Sequence, residues 1–408
     1  MTASPRHVKT ARPSTTARAV LRRSRRTATR ARHRLHRDVR YPLLRRAPLS
    51  DDLVLFDSWQ GKQYSDNPRA LSEELGRRRP DLRRIWVLRD PALQVPDDIG
   101  VVRRWSRQYY DTLAQARWVI TNEVMDRRFV KRRGSTYVQT WHGTPLKRVG
   151  FDIETLRSRD KTYLDQVARD VESWDFLVSP NRHSTEVFRR AFRYEGPIIE
   201  AGYPRNDLLL AADRDAVARR VRRSLGIDTD RRVVLWLPTW RDHLHAQIGY
   251  QFPVALDPDA FSAALGDDHV LLVRGHHHTA ANVAGLERPA VRDVTWFADV
   301  RELLLVADVL VTDYSSAMFD FAVTGRPILF FAWDLETYRD DVRGFTFDLE
   351  SQAPGPVLRS TAEVLASLQE LDAVSSAYAE RYAAWQRRFC ALEDGHASAR
   401  VLDAVFGK

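Results

Sequence analysis

The chain has 408 residues, is 44% hydrophobic, and carries eleven tryptophans and a single cysteine, Cys390. That size favours two cores over one and that composition excludes global disorder, while one cysteine excludes an internal disulfide or a cysteine-based metal site and fits a reducing cytoplasm. The net charge of +10 is unevenly spread: residues 1–50 hold fifteen Lys or Arg against one acid, Asp38, which is +14, so the rest of the chain is net −4.

The first segment, residues 1–48, reads as a basic tail, disordered or lying on a membrane surface. Runs such as Arg22-Arg23-Ser24-Arg25-Arg26 are too polar to bury a core but can coat a polyanion. Leu35, Val39 and Leu43 recur every four residues and give a basic helix a narrow apolar seam. That seam favours an anionic membrane surface as partner, at about 1 kcal/mol for each engaged Lys or Arg. A transit peptide or a loose nucleic-acid tail has a similar composition, but no RNA-binding or helix-turn-helix motif supports nucleic acid, and none is expected. No run of about 18 apolar residues is present, so a membrane-spanning helix is not expected either.

From residue 52 strands and helices alternate. Strands are expected at 52–56, 84–88, 118–122, 137–141, 176–179, 198–201, 233–237, 270–273, 308–312 and 328–331, with helices between them at 67–76, 184–192, 214–225 and 300–306. Strict alternation implies parallel sheets covered on both faces. Gly202 and Pro204 punctuate the pattern, so the expected division is an acceptor-side domain at 49–205 and a nucleotide-donor domain at 206–375. Residues 376–408 then form helices that cross back over the first domain. The fold class is α/β, with two doubly wound parallel-sheet domains facing each other across a cleft lined by the carboxyl ends of their strands.

Four polar clusters fall at expected strand ends. The first is Thr140-Trp141-His142-Gly143-Thr144-Pro145-Leu146-Lys147. A histidine here, with glycine beside it, is open to the cleft and can accept a hydroxyl proton near neutral pH; the alternative is a structural histidine. The second is Pro238-Thr239-Trp240-Arg241-Asp242, where Arg241 grips a phosphate through its planar fork or pairs with Asp242. The third is Arg274-Gly275-His276-His277-His278. Only alternate histidines converge on an extended chain, and no acidic or cysteine partner is near, so phosphate contact by Arg274 and His276 is more economical than a metal, and none is assigned. The fourth is Asp313-Tyr314-Ser315-Ser316, a strand-to-helix turn with N-capping hydroxyls. Free N–H groups at such a helix start can seat a phosphate, or the turn can be a plain cap. Neither a P-loop nor a dinucleotide fingerprint follows the first strand. A nucleotide diphosphate donor and an acceptor hydroxyl fit these groups best.

Taken in order, Trp141-His142-Gly143-Thr144-Pro145, Ser179-Pro180-Asn181, Gly202-Tyr203-Pro204-Arg205-Asn206-Asp207, Pro238-Thr239-Trp240-Arg241, Arg274-Gly275-His276 and Thr312-Asp313-Tyr314-Ser315-Ser316 resemble the motif set of the CDP-glycerol glycerophosphotransferase family, the teichoic acid polymerases and primases. The resemblance runs from about residue 50 to 402. It implies a GT-B fold, CDP-glycerol or a related CDP-polyol as donor substrate, a lipid-linked polyol-phosphate or glycan acceptor, and peripheral attachment to the cytoplasmic face of the cell membrane.

By motif position, His142 matches the family's base and His276 its donor-side histidine. Arg241, Arg274, Asp313, Ser315 and Ser316 fall on the donor nucleotide and its phosphates, and Gly143, Thr144 and Lys147 on the acceptor side. The run Arg274-Gly275-His276-His277-His278 departs from the basic-x-His-Pro pattern of many relatives, and the Arg-rich start stands where other membrane-binding elements would be. No cofactor beyond the donor is assigned, and a role for a divalent cation is left open. The alternative enzyme is a GT-B glycosyltransferase using a nucleotide sugar. A non-catalytic nucleic-acid-binding protein is the alternative from outside enzymes.

Overall fold

The computed structural model describes residues 34–154, 160–239, 241, 255–275, 286 and 288–407. Seven parallel strands form the first sheet: β1 (Ser50–Asp57), β2 (Arg83–Leu88), β3 (Gly100–Arg103), β4 (Ala116–Thr121), β5 (Thr136–Gln139), β6 (Phe176–Ser179) and β7 (Ile198–Glu200), in the order 3-2-1-4-5-6-7. Six more form the second: β8 (Arg232–Leu237), β9 (His269–Val273), β10 (Val291–Asp293), β11 (Val309–Thr312), β12 (Ile328–Phe331) and β13 (Val357–Leu358), in the order 10-9-8-11-12-13. Every pairing is parallel. The central strands explain why: β9 and β11 are buried at every residue, as Val- and Leu-rich strands covered on both faces must be. Each sheet accordingly separates two hydrophobic clusters.

Strand order reverses between β1 and β4 in one sheet and between β8 and β11 in the other. Such switch points open a crevice at the carboxyl ends of the strands, where open α/β sheets take ligands. Two such sheets facing each other make the GT-B arrangement.

The edge strands β3, β10 and β13, of two to four residues, escape the sequence pattern because they are too short to display a period. β5 ends at Gln139, two residues before the expected limit, because Trp141 turns into the left-handed region at φ 49°.

Helix α1 (Asp66–Arg78) covers the first sheet. α2 (Arg182–Phe192) is capped by the Asn181 side chain, which accepts from the Ser184 N–H. α3 (Val300–Val306) and the six-residue α4 (Ala317–Ala322) cover the second sheet. At the end of the chain α5 (Leu371–Phe389) plants Trp385 and Phe389 in the second domain's core, whereas α6 (Ala397–Phe406) plants Val401 and Leu402 in the first. The Asp207 carboxylate accepts from the N–H groups of Ala397 and Ser398 and fixes the start of α6.

The expected tail, residues 1–48, is described only in its last part. Residues 1–33 lie outside the described residues, but His36–Arg40 and Tyr41–Leu44 are helical and joined to the first domain. The cause is Tyr41, whose ring enters the core beside Tyr110 and whose hydroxyl donates to the Val130 carbonyl at 3.2 Å. Among the described residues no helix is long and apolar enough to cross a membrane.

Candidate active site

The ends of β1, β4 and β5 build one wall of the cleft. Asn122, just past β4, receives the Trp59 N–H on its side-chain oxygen at 2.9 Å and meets His142 Nδ1 with its main-chain carbonyl at 2.8 Å. A carbonyl only accepts, so Nδ1 carries the proton and Nε2 holds the free lone pair. Among the described residues no partner stands within hydrogen-bond distance of Nε2. The imidazole packs against two indoles, with the Trp141 ring at 4.5 Å and the Trp59 ring at 4.8 Å.

The backbone around this ring is strained. Trp59, Gln60, Asp66 and Trp141 have φ of 51°, 54°, 65° and 49°, four of the six non-glycine residues with positive φ among the described residues. Such conformations persist only where neighbours over-determine them. Around Trp141 those neighbours are the Gln139 side chain on its N–H at 2.9 Å and Asn67 Nδ2 on its carbonyl at 3.2 Å.

Next in sequence, Gly143 touches the opposite domain. A Cβ placed there would stand 2.5 Å from Ser316 Oγ, a contact only glycine permits. Thr144 is buried and its hydroxyl accepts from Asn181 Nδ2, which also donates to the Phe389 carbonyl. Lys147 bridges to Phe345 of the second domain, flanked by hydrogen bonds from Arg148 N to Gly344 O and from Thr346 N to Leu146 O. The expected acceptor-side residues therefore form the seam where the two domains meet.

On the other wall, Asp313 and Arg241 are both buried and neutralise each other. Asp313 accepts from the N–H groups of Thr239 and Tyr314, and it pairs with Arg241 Nη1 at 2.7 Å. Asp334 takes Nε and Nη2 of the same guanidinium at 2.7 and 2.8 Å. Tyr314 and Tyr338 each place a ring centroid 5.0 Å from it. Burial alone would lower the Arg241 pKa, but Asp313 and Asp334 outweigh it and hold the group above its ordinary value. Nε, Nη1 and Nη2 of the expected phosphate fork all face these two carboxylates, and the pair ties the ends of β8 and β11 together. Asp242 and Trp240 lie outside the described residues.

Arg274 differs. Its Nη1 donates to the Phe297 carbonyl at 2.6 Å, and among the described residues no carboxylate pairs with it. Burial lowers its pKa to about 10, with distant Asp299 opposing, so it stays charged at neutral pH. Ser315 and Ser316 are half-buried at the start of α4. Ser316 occupies the expected N-cap position but makes no capping bond; the Ser315 hydroxyl accepts from the Ala317 N–H instead, at 3.3 Å. The Thr239 hydroxyl is buried without a partner among the described residues. His276, with His277 and His278, lies outside the described residues. Among the described residues no group of three or more His, Cys, Asp or Glu side chains could hold a metal ion.

Comparison with known proteins bears on the family and the fold. The family model for CDP-glycerol:poly(glycerophosphate) glycerophosphotransferase matches residues 39–407. A teichoic acid poly(glycerol phosphate) polymerase of Bacillus spizizenii is 37% identical over 369 residues, covering 88% of this chain and 93% of that protein. The polymerase of the same description from Bacillus subtilis is 36% identical over 368 residues, and the match covers 88% of this chain but only 49% of that protein. Among solved structures, the wall teichoic acid polymerase TagF superposes with a TM-score of 0.87 at 34% identity over 95% of this chain and 96% of that one.

Proposed function

Because the chain belongs to the CDP-glycerol:poly(glycerophosphate) glycerophosphotransferase family, and is a transferase of that type, we propose that it moves a glycerol-phosphate unit from CDP-glycerol to the terminal hydroxyl of a lipid-linked, teichoic-acid-like acceptor with His142 as general base. The observation that carries the proposal is the Nδ1–H bond to Asn122, which leaves Nε2 as the basic nitrogen of the residue just before Gly143, whose backbone meets Ser316. Nε2 takes the hydroxyl proton as the acceptor oxygen attacks the β-phosphorus. The bond from that phosphorus to the bridging oxygen breaks, and CMP leaves with the electron pair. Arg274, the Thr239 hydroxyl, the Ser315 and Ser316 turn, and His276 offset charge on the diphosphate. Phosphoryl transfer depends chiefly on positioning and electrostatics, so these roles require no covalent intermediate. Arg241 and Asp313 shape this seat without touching the donor, and we place the division between the domains at residues 205 and 206. The direct test offers CDP-glycerol against a panel of UDP- and GDP-sugars. CMP release with CDP-glycerol alone is expected, and release of UDP or GDP from the sugars would replace the proposal with glycosyl transfer.

The acceptor's lipid anchor calls for attachment to the cytoplasmic membrane face. Supporting this, Leu35, Val39 and Leu43 are 55%, 50% and 58% exposed on a helix that Tyr41 and the Arg40–Asp111 ion pair fix to the first domain. Deleting the helix would also remove Tyr41 from the core, so substitution is the cleaner test. Leu35→Ser, Val39→Ser and Leu43→Ser combined should weaken co-sedimentation with anionic vesicles and leave the melting temperature unchanged. Undiminished sedimentation of that variant would remove this role for the helix.

A further inference from the structure

Arg205 follows the last strand of the first sheet, yet its side chain is only 7% exposed and reaches three separate parts of the molecule. Nη1 lies 3.1 Å from the Asp66 carboxylate at the start of α1, and it donates to the His142 carbonyl at 2.9 Å. Nη2 and Nε meet the Asp320 carboxylate of α4 at 2.7 and 3.3 Å. Its main-chain N–H donates to Asn67 Oδ1 at 3.1 Å, and Asn67 Nδ2 holds the Trp141 carbonyl. The two successive carbonyls of the strained Trp141-His142 segment are thus both fixed by the Asn67 and Arg205 pair.

Asp320 lies four residues after Ser316, one helical turn further along α4. One planar guanidinium therefore connects the histidine loop of the first domain to the helix that opens the donor side of the second. A lysine, with one compact ammonium, cannot satisfy this fork. A second ion pair, Arg69 to Asp299 at 2.8 Å, joins the same two domains farther out without contacting the histidine loop.

We propose that Arg205 is a positioning residue for the transfer reaction, setting the His142 main chain against α4 so that Nε2 is aimed at the acceptor hydroxyl. The inference rests on His142 being the base, and a double-mutant cycle on the full chain separates the two. Turnover of CDP-glycerol, donor KM and thermal unfolding are measured for H142A, R205K and the double variant. Arg205→Lys should lower kcat by about 10²-fold, the loss that a misplacement near 1 Å brings, while donor KM changes by less than about threefold. Adding R205K to H142A should cost almost nothing further, because a group that acts through the base has no effect once the base is gone. Wild-type turnover in R205K, or losses that add in the double variant, would overturn the inference and leave the base assignment standing. Normal turnover in H142A would remove both. If R205K does not fold, Asp66→Asn is read by the same criteria, since asparagine tolerates the φ of 65° at that position and removes only the charge.

Discussion

Turnover of the His142→Ala variant is expected to fall by about 10²- to 10⁴-fold, the usual contribution of a positioned general base, while affinity for CMP stays within about twofold. The separation follows from geometry. His142 belongs to the first wall of the cleft, and the groups assigned to the donor belong to the second. Removing the imidazole also leaves a gap beside the Trp59 and Trp141 rings, but the main chain is held independently by Gln139, Asn67 and Arg205. Stability should therefore change less than activity. Single-turnover assays with CDP-glycerol, alongside CMP titration by calorimetry, check both halves. Turnover near the wild-type rate would remove His142 as the base, and lost CMP binding would place it on the donor instead.

Most of the fold could be read from the sequence because long, doubly covered parallel strands are continuous apolar runs, and Gly202 and Pro204 interrupt them once. What escaped were short edge strands and the attachment of the helix of residues 36–44 to the first domain, because its composition is that of a tail. A single buried tyrosine, Tyr41, joins that helix to the core, and one residue has no periodicity. The site was legible to a similar depth. Strand ends pointed to His142, Arg274 and the Ser315 turn, because residues there must face the crevice. The orienting groups were hidden: Asn122 acts through its main-chain carbonyl, and Asn67 and Arg205 are brought to His142 from 75 and 63 positions away only by the fold. The one available sign was an asparagine ending an apolar run before a turn. Arg241 shows an ambiguity that sequence alone does not resolve. A motif arginine at a strand end looks the same in sequence whether its partner is a ligand phosphate or two buried aspartates.

That ambiguity yields the second large effect. Arg241→Ala is expected to destabilise the second domain by about 3–5 kcal/mol, because it strands the Asp313 and Asp334 carboxylates without their shared cation. For a domain of this size such a loss lowers the unfolding midpoint by on the order of 10 °C. The cost is large because Arg241 and Asp313 are each only 2–3% exposed, so water cannot take the arginine's place. The Thr239 and Tyr314 N–H groups would keep Asp313 as acceptor but lose the cation that holds its charge in the core. Arg274→Gln should behave in the reverse way. Among the described residues its guanidinium has one neutral partner, the Phe297 carbonyl, so its removal should leave the midpoint within a few degrees. Donor KM should instead rise about 10- to 10²-fold, as a lost charge-assisted contact to phosphate requires. Thermal unfolding and donor KM measured on both variants distinguish the roles. An Arg241→Ala protein that melts normally but binds donor poorly would return Arg241 to the phosphates, and an Arg274→Gln protein with unchanged KM would take Arg274 away from them.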